Sequence, residues 1–425
     1  MSRLWQTGAE WQTTTEVLNS SNWSISTTEH VGSGSLASYR CNATLANTAS
    51  ASFSHPSTSG YATLYTKHDI KINSLPDTGD GFIFVPVELM STADNSILVR
   101  LKVYNDGGVI YVKAEYNAGA SESDAIPLLD EDIFILDSSL LDGGDILVSS
   151  EDPIGTGLWF RVETKFDTSP ADGSETFEMR INGETIILDN DITFSGKFAR
   201  LGASRVINNS GSSQTPEVYI DNISVNNSEG LQNNTWIGEE YIAVLKPAAA
   251  GDSNAQTGTY ADLNEIPAIG GGIVYVYGGG AAAYYKIDDP LTYMDSDDRV
   301  NAITVPVYIY GTWNKAYRTG IKSASGGTIQ KTANANPNNS PSATTPIISR
   351  DGGTWYGRLL LSESDPATGG RWRVTGVNSL SNAQIGVEVN SSDMYLYPSS
   401  LGAMVAWSPY TSIPTGGMMQ MFYTA

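Results

Sequence analysis

GLWFRVETKF (157–166), FEMRINGE (177–184) and VYIDNISV (218–225) decide the fold of this chain. In the first, Leu158, Phe160, Val162 and Phe166 share one parity while Trp159, Arg161, Glu163 and Lys165 share the other. That is the period of a strand with one apolar and one wet face. The second repeats the rule: Phe177, Met179 and Ile181 point one way, Glu178 and Arg180 the other, and Asn182-Gly183 supplies the positive φ angles of a tight hairpin. In the third, Val218, Ile220, Ile223 and Val225 are apolar, with Asp221-Asn222 as a bulge or turn between them. A strand, a polar loop, a strand, a hairpin and a late closing strand describe a curved antiparallel sandwich.

Outward from this stretch the same signals continue. Tyr61 to Ile72 alternates, and FIFVPVEL (82–89), SILVRLKVYN (96–105) and VIYVKAEY (109–116) follow as a meander, the last two joined by Asn-Asp-Gly-Gly at 105–108. Residues 119–156 are an acidic insertion in which DEDIFILD and LDGGDILV read as two short edge strands. Trp5 and Trp11, near the start, are expected to plug the end of this first sandwich. NNSEGLQNN (226–234) is a linker by composition. Beyond it EEYIAVLKP, AAYYKI, VNAITVPVYIYGTW, WYGRLLLSES, RWRVTGV and IGVEVN read as a second antiparallel sandwich. The expected class is all-β, with two sandwich or jelly-roll domains at 1–226 and 235–425 and a linker at 227–234. The tail from Met404 to Ala425 is apolar, aromatic and uncharged, so burial is expected, against its own domain or a partner subunit.

At 425 residues the chain is long for one core, and 42 glycines suit many turns. Twenty-four Lys plus Arg against 46 Asp plus Glu give a formal charge of -22, which repels phosphate backbones and anionic bilayers, so neither nucleic acid nor membrane insertion is expected. Cys41 is the sole cysteine, and no intrachain disulfide can form. The start, MSRLWQTGAEW, lacks the apolar core of a signal peptide, which suits a protein made in a cytoplasm.

No catalytic pattern dominates. Paired carboxylates at the spacing that puts acid and nucleophile about 5 Å apart do not occur along one strand, and Glu163, Glu178 and Glu184 read as a solvated charged face. A lyase needs a cation and a His or Tyr base; Arg161, Arg180 and Tyr219 share one face, whereas His30, His55 and His68 read as surface or packing residues. Trp159, Arg161 and Arg180 lie on the outward parity of one sheet and are the candidate glycan-binding residues, an aromatic platform with hydrogen-bond donors. Asp295, Asp297 and Asp298 crowd one loop as a candidate calcium site, and Asp130, Glu131 and Asp132 another, both without EF-hand spacing. No Walker loop, HExxH or Gly-x-Ser-x-Gly is present, and GGGIVYVYGGG (270–280) lies between strands, where it makes no phosphate cradle.

The three opening phrases resemble the closing strands of the concanavalin A-like lectin and glucanase superfamily, over residues 1–226. AVLKPAAAGDSNAQTGTYADLNEIPA (243–268) with DPATGGRWRVTGVNSLSNAQIGVEV (365–389) is similar to a module of minor virion proteins of tailed phages, in which a strand ending in Pro precedes a Gly-Asp loop. Trp372 and Gly386-Val387 match the Trp and late Gly-Val strand of that module. The glycine run departs from the acidic, tyrosine-bearing segment expected there. The pairing implies a non-enzymatic phage virion protein, a homo-oligomeric decoration or fibre subunit on head, neck or tail, bound to other virion proteins and to host-surface glycans. The alternative is a polysaccharide-degrading hydrolase or lyase of the same superfamily.

Overall fold

The computed structural model describes residues 3–410, apart from short breaks and from 265–273, 311–316, 333–346 and most of 118–155. The fold is all-β, built from antiparallel sheets, with only short 3₁₀ turns between strands among the described residues. No helix there is long and apolar enough to cross a membrane. The Asp130–Asp132 cluster, Trp11 and the tail beyond 410 lie outside the described residues.

The first sandwich has two sheets. One runs Glu184–Ile192, Glu175–Ile181, Trp159–Asp167, Thr63–Ser74, Glu217–Asn227, Ser38–Cys41, Ser24–Ser26. Strands distant in sequence lie side by side, as jelly-roll crossovers require. The facing sheet includes Val109–Tyr116, Ile97–Asp106, Phe82–Val85, Ala203–Asn208 and Ser50–Ser54. Between them Phe160, Val162, Phe166, Phe177, Met179, Val218 and Ile220 pack with Phe53, Phe84, Leu101 and Val206 in one apolar cluster. Inside the acidic insertion Phe134–Ile135 pairs with Leu147–Val148, the two short strands expected there.

The turn chemistry read from sequence is present. Asn182 and Gly183 stand at φ 50° and 92°, closing the hairpin between Glu175–Ile181 and Glu184–Ile192. Asn222 stands at φ 43°, and register slips between Asp221 and Ser224. That bulge has a purpose. Before it the Glu217–Asn227 strand pairs with Ser38–Cys41, and after it with Arg3–Thr7, so the slip is where the strand changes neighbours. Leu158 departs from expectation: it is 44% exposed, because the strand begins at Trp159 and inward parity does not extend into the preceding turn.

The second unit is again built on two large sheets, beside a small pair of Val276–Tyr277 with Tyr395–Leu396. Tyr241–Leu245, Ala403–Ser408, Arg299–Tyr310, Gly353–Ser362 and Ile347–Arg350 form one; Pro247–Ser253, Ala282–Ile287, Gln384–Val389, Tyr317–Lys322 and Ile329–Lys331 form the other. Leu245, Tyr285, Val305, Ile321, Trp372, Ile385 and Val405 share its core. Ala403–Ser408 lies between two partners, so the uncharged tail begins as an interior strand.

The Gly-Asp loop and the late Gly-Val strand have structural reasons. The Asp252 carboxylate accepts from Gly326 N–H at 2.6 Å, from Ser325 Oγ at 2.5 Å and from Lys322 Nζ, and these bonds hold it well below the usual carboxylate range. A Cβ on Gly251 would meet the Tyr284 carbonyl and the Gln384 amide. Gly386 pairs with Tyr284 on one side and Gly320 on the other. A Cβ at Gly386 would collide with the Ala283 carbonyl, and one at Gly320 with the Tyr284 hydroxyl. Because the first obstacle is backbone, it cannot move aside as a side chain would. Gly386→Ala is therefore expected to destabilise the fold by about 1–3 kcal/mol in chemical denaturation, the cost of overpacking; an unchanged midpoint would contradict this packing.

Candidate functional site: a cleft on the outer sheet face

Some outward side chains of the first sheet are covered, although alternation alone leaves them all to water. The segment 233–242 crosses them. Trp236 lies over Arg180, with the guanidinium 3.9 Å from the ring centroid, and beside Tyr65 at 5.7 Å between rings. Gly238 N–H donates to Glu163 Oε1 at 2.6 Å, Lys67 Nζ donates to the Glu240 carbonyl at 2.5 Å, and Ile242 N–H donates to Asn222 Oδ1 at 3.0 Å. Glu163, expected on a solvated face, is 2% exposed.

Beside this strap the face opens into a cleft of about 520 Å³, lined by Val31, Asp69, Leu158, Trp159, Phe160, Arg161, Asn182 and Glu239 to Tyr241. The floor is set by register: Arg161 pairs with Asp69, which pairs with Asp221, and Trp159 pairs with Lys71, which pairs with Tyr219. The Trp159 and Tyr219 rings lie 6.2 Å apart, and Arg40 sits 5.7 Å over the Tyr219 ring. Burial and a hydrogen bond to Glu217 push the Tyr219 phenol up to about 12.

Arg161 is held by the hairpin that the sequence announces. Its backbone N–H donates to Asn182 Oδ1 at 2.8 Å, and Asn182 N–H donates back to the Arg161 carbonyl at 2.9 Å. The guanidinium reaches Glu163 at 3.2 Å. Across the cleft the Tyr241 hydroxyl donates to Glu239 at 2.6 Å; burial first, and then this carboxylate, raise its phenol above the ordinary value. Asp69 accepts from Lys67 Nζ at 2.7 Å and Asn222 Nδ2 at 2.9 Å.

The structure thus brings Trp159 and Arg161 together and separates Arg180 from them. Arg180 binds Glu178 and stacks under Trp236, where it joins the strap to the sheet. Tyr241, Glu239, Asp69 and Val31 escaped the sequence reading because their chain positions are remote from the strands they adjoin. Asp295, Asp297 and Asp298 do not converge. Asp298 caps its own turn through Asp295 N–H and holds Tyr410 N–H, while Asp297 accepts from Ser296. Among the described residues no group of three His, Cys, Asp or Glu stands together as a metal site.

No family model and no curated protein match this chain. Solved structures similar to it include an endo-β-1,4-glucuronan lyase from the fungus Trichoderma reesei, at 9% identity and TM-score 0.35, covering 53% of this chain and 95% of the lyase. The carbohydrate recognition domain of Emp47p is similar at 11% identity and TM-score 0.33, over 53% of this chain and 97% of that domain. A carbohydrate esterase from the Shiga toxin-encoding bacteriophage phi24B is similar at 14% identity and TM-score 0.32, over 53% and 98%. These companions are carbohydrate-active or lectin folds of the concanavalin A-like and jelly-roll kind. The expectation of a non-enzymatic chain is corrected by this finding, since a lyase and an esterase stand among the similar structures.

Proposed function

We propose that the chain binds carbohydrate in the cleft between Trp159 and Tyr241 and acts on it there. The cleft itself carries the reading. Aromatic rings, the Arg161 guanidinium, the Asn182 amide and the Asp69 and Glu239 carboxylates surround one open recess of about 520 Å³, within the range of small-ligand sites. Apolar ring faces suit a sugar's C–H face, and the polar groups suit its hydroxyls. The Tyr241–Glu239 hydrogen bond sets a proton donor beside a carboxylate, a pair suited to proton transfer at a bound sugar.

A glycan array and a turnover screen on neutral and acidic polysaccharides test this. Trp159→Ala and Arg161→Lys are expected to weaken the best-bound glycan about tenfold each, about 1.4 kcal/mol, and Tyr241→Phe to lower turnover while binding persists. A blank array together with no turnover would sink the proposal.

The setting we propose is a tailed-phage particle, made in the host cytoplasm, with the chain as a homo-oligomeric subunit among other virion proteins and its cleft turned to host-surface glycans. What favours this is the likeness of 243–268 and 365–389 to a virion-protein module. Mass spectrometry of purified particles should find the chain, and its absence would remove the setting while leaving the cleft.

A further inference from the structure

We propose that the cleft receives the end of a glycan chain and not its middle; this rests on the carbohydrate reading. The strap 236–242 touches, in turn, Arg180, Glu163, Lys67 and Asn222, which belong to four consecutive strands of the sheet. It therefore runs across the strands and fills one transverse lane of the face. The cleft is the neighbouring lane, with Arg161 and Asp69 on its floor and Glu239 to Tyr241 as its side wall.

One end of that lane is shut. The next floor position after Asp69 is Asp221, and Val31 is clamped there: its N–H donates to Asp221 Oδ2 at 2.7 Å, and its carbonyl accepts from Asn222 Nδ2 at 3.3 Å. In the row beyond, Glu29 of the same loop is tied to Lys71 at 2.7 Å. The loop 29–31 is thus fixed to two adjacent strands and stands across the path. The opposite end carries Asn182 and the exposed Gly183, and with the exposed Leu158, which borders the cleft just before the Trp159–Asp167 strand, it forms the mouth. A polysaccharide threaded along the sheet would collide with the strap in one lane and with Val31 in the other. A chain end entering past Asn182 and Leu158 meets neither, and its last ring abuts Val31 between Asp69 and the side wall.

Titration of the full chain with dimers, tetramers and hexamers of cello- and mannurono-oligosaccharides tests this, alongside the parent polymers before and after partial depolymerisation, which multiplies their ends. Affinity is expected to level off by the tetramer. The amount of protein bound per mass of polymer is expected to rise in proportion to the number of ends. Affinity that keeps climbing from tetramer to hexamer, with capacity indifferent to the number of ends, overturns end recognition while leaving carbohydrate binding intact. Absence of binding across both series overturns both.

Discussion

Replacing Glu240 by alanine is expected to cost about 3–5 kcal/mol of stability, because it strands a buried cation. Arg3 is 1% exposed and Glu240 1%. Their bidentate pair closes at 2.6 and 2.8 Å, Ser224 Oγ and Asn301 Nδ2 add donors to the same carboxylate, and Arg3 N–H reaches Glu363 at 2.6 Å. Arg3 and Ser224 belong to the first sandwich, Asn301 and Glu363 to the second, so this one carboxylate binds both. Burial alone would raise its pKa, but Arg3, the hydrogen bonds and Lys67 outweigh burial and hold it below the ordinary value. The stability it contributes is therefore present above the unfolded carboxylate value and is lost as pH falls through the lower folded one. Urea unfolding of Glu240→Ala, Arg3→Met and the double variant measures the coupling. The double variant should be less destabilised than the sum of the singles, since removing both partners leaves no lone buried charge. Strict additivity would show that the pair is not the joint.

What was legible in the sequence follows from how local each signal is. Asn182-Gly183 and Asp221-Asn222 declare their conformations because a positive φ restricts residue type at the spot. Alternation in GLWFRVETKF fixes which side chains face outward and says nothing of what lies on them. Glu163 and Arg180 therefore read as outward and wet, while the strap that covers them is a short polar stretch, Trp236 to Ile242, without strand periodicity. Glu240, in Glu-Glu-Tyr, looks in sequence like any surface acid; its burial depends on Arg3, at the far end of the first unit. The cleft was half legible for the same reason. Trp159 and Arg161 come from a patterned strand, whereas Tyr241, Glu239 and Val31 reach it only through tertiary packing.

His68→Leu is expected to stabilise the protein relative to the parent by an amount that grows on acidification. His55 and His68 lie inside the first sandwich, both at or below 3% exposure, with their rings 5.8 Å apart. His55 Nε2 meets Ser204 Oγ at 3.2 Å, while neither ring nitrogen of His68 has a hydrogen-bond partner among the described residues. Trp5 and Phe53 pack against the His55 ring, so the surroundings reward a neutral imidazole. Burial pushes His55 down to about 3, and burial, then His55 and Lys67, hold His68 well below the ordinary histidine value. The unfolded chain thus takes up protons near pH 6.5 that the folded one refuses, so each imidazole removes about 1.4 kcal/mol of stability per pH unit as pH falls below 6.5. Asp221 acts in the opposite sense, since burial raises its folded pKa and the stability it adds disappears as pH rises through that value. Asp189, raised to about 6 by burial and Asp191, does the same. The parent's own pH profile therefore mixes opposing slopes, and the difference between parent and His68→Leu isolates the imidazole. That difference should widen by about 1.4 kcal/mol per pH unit between pH 6.5 and pH 4.5 in urea unfolding. A difference constant with pH would mean that His68 is protonated in the folded protein, in conflict with its burial.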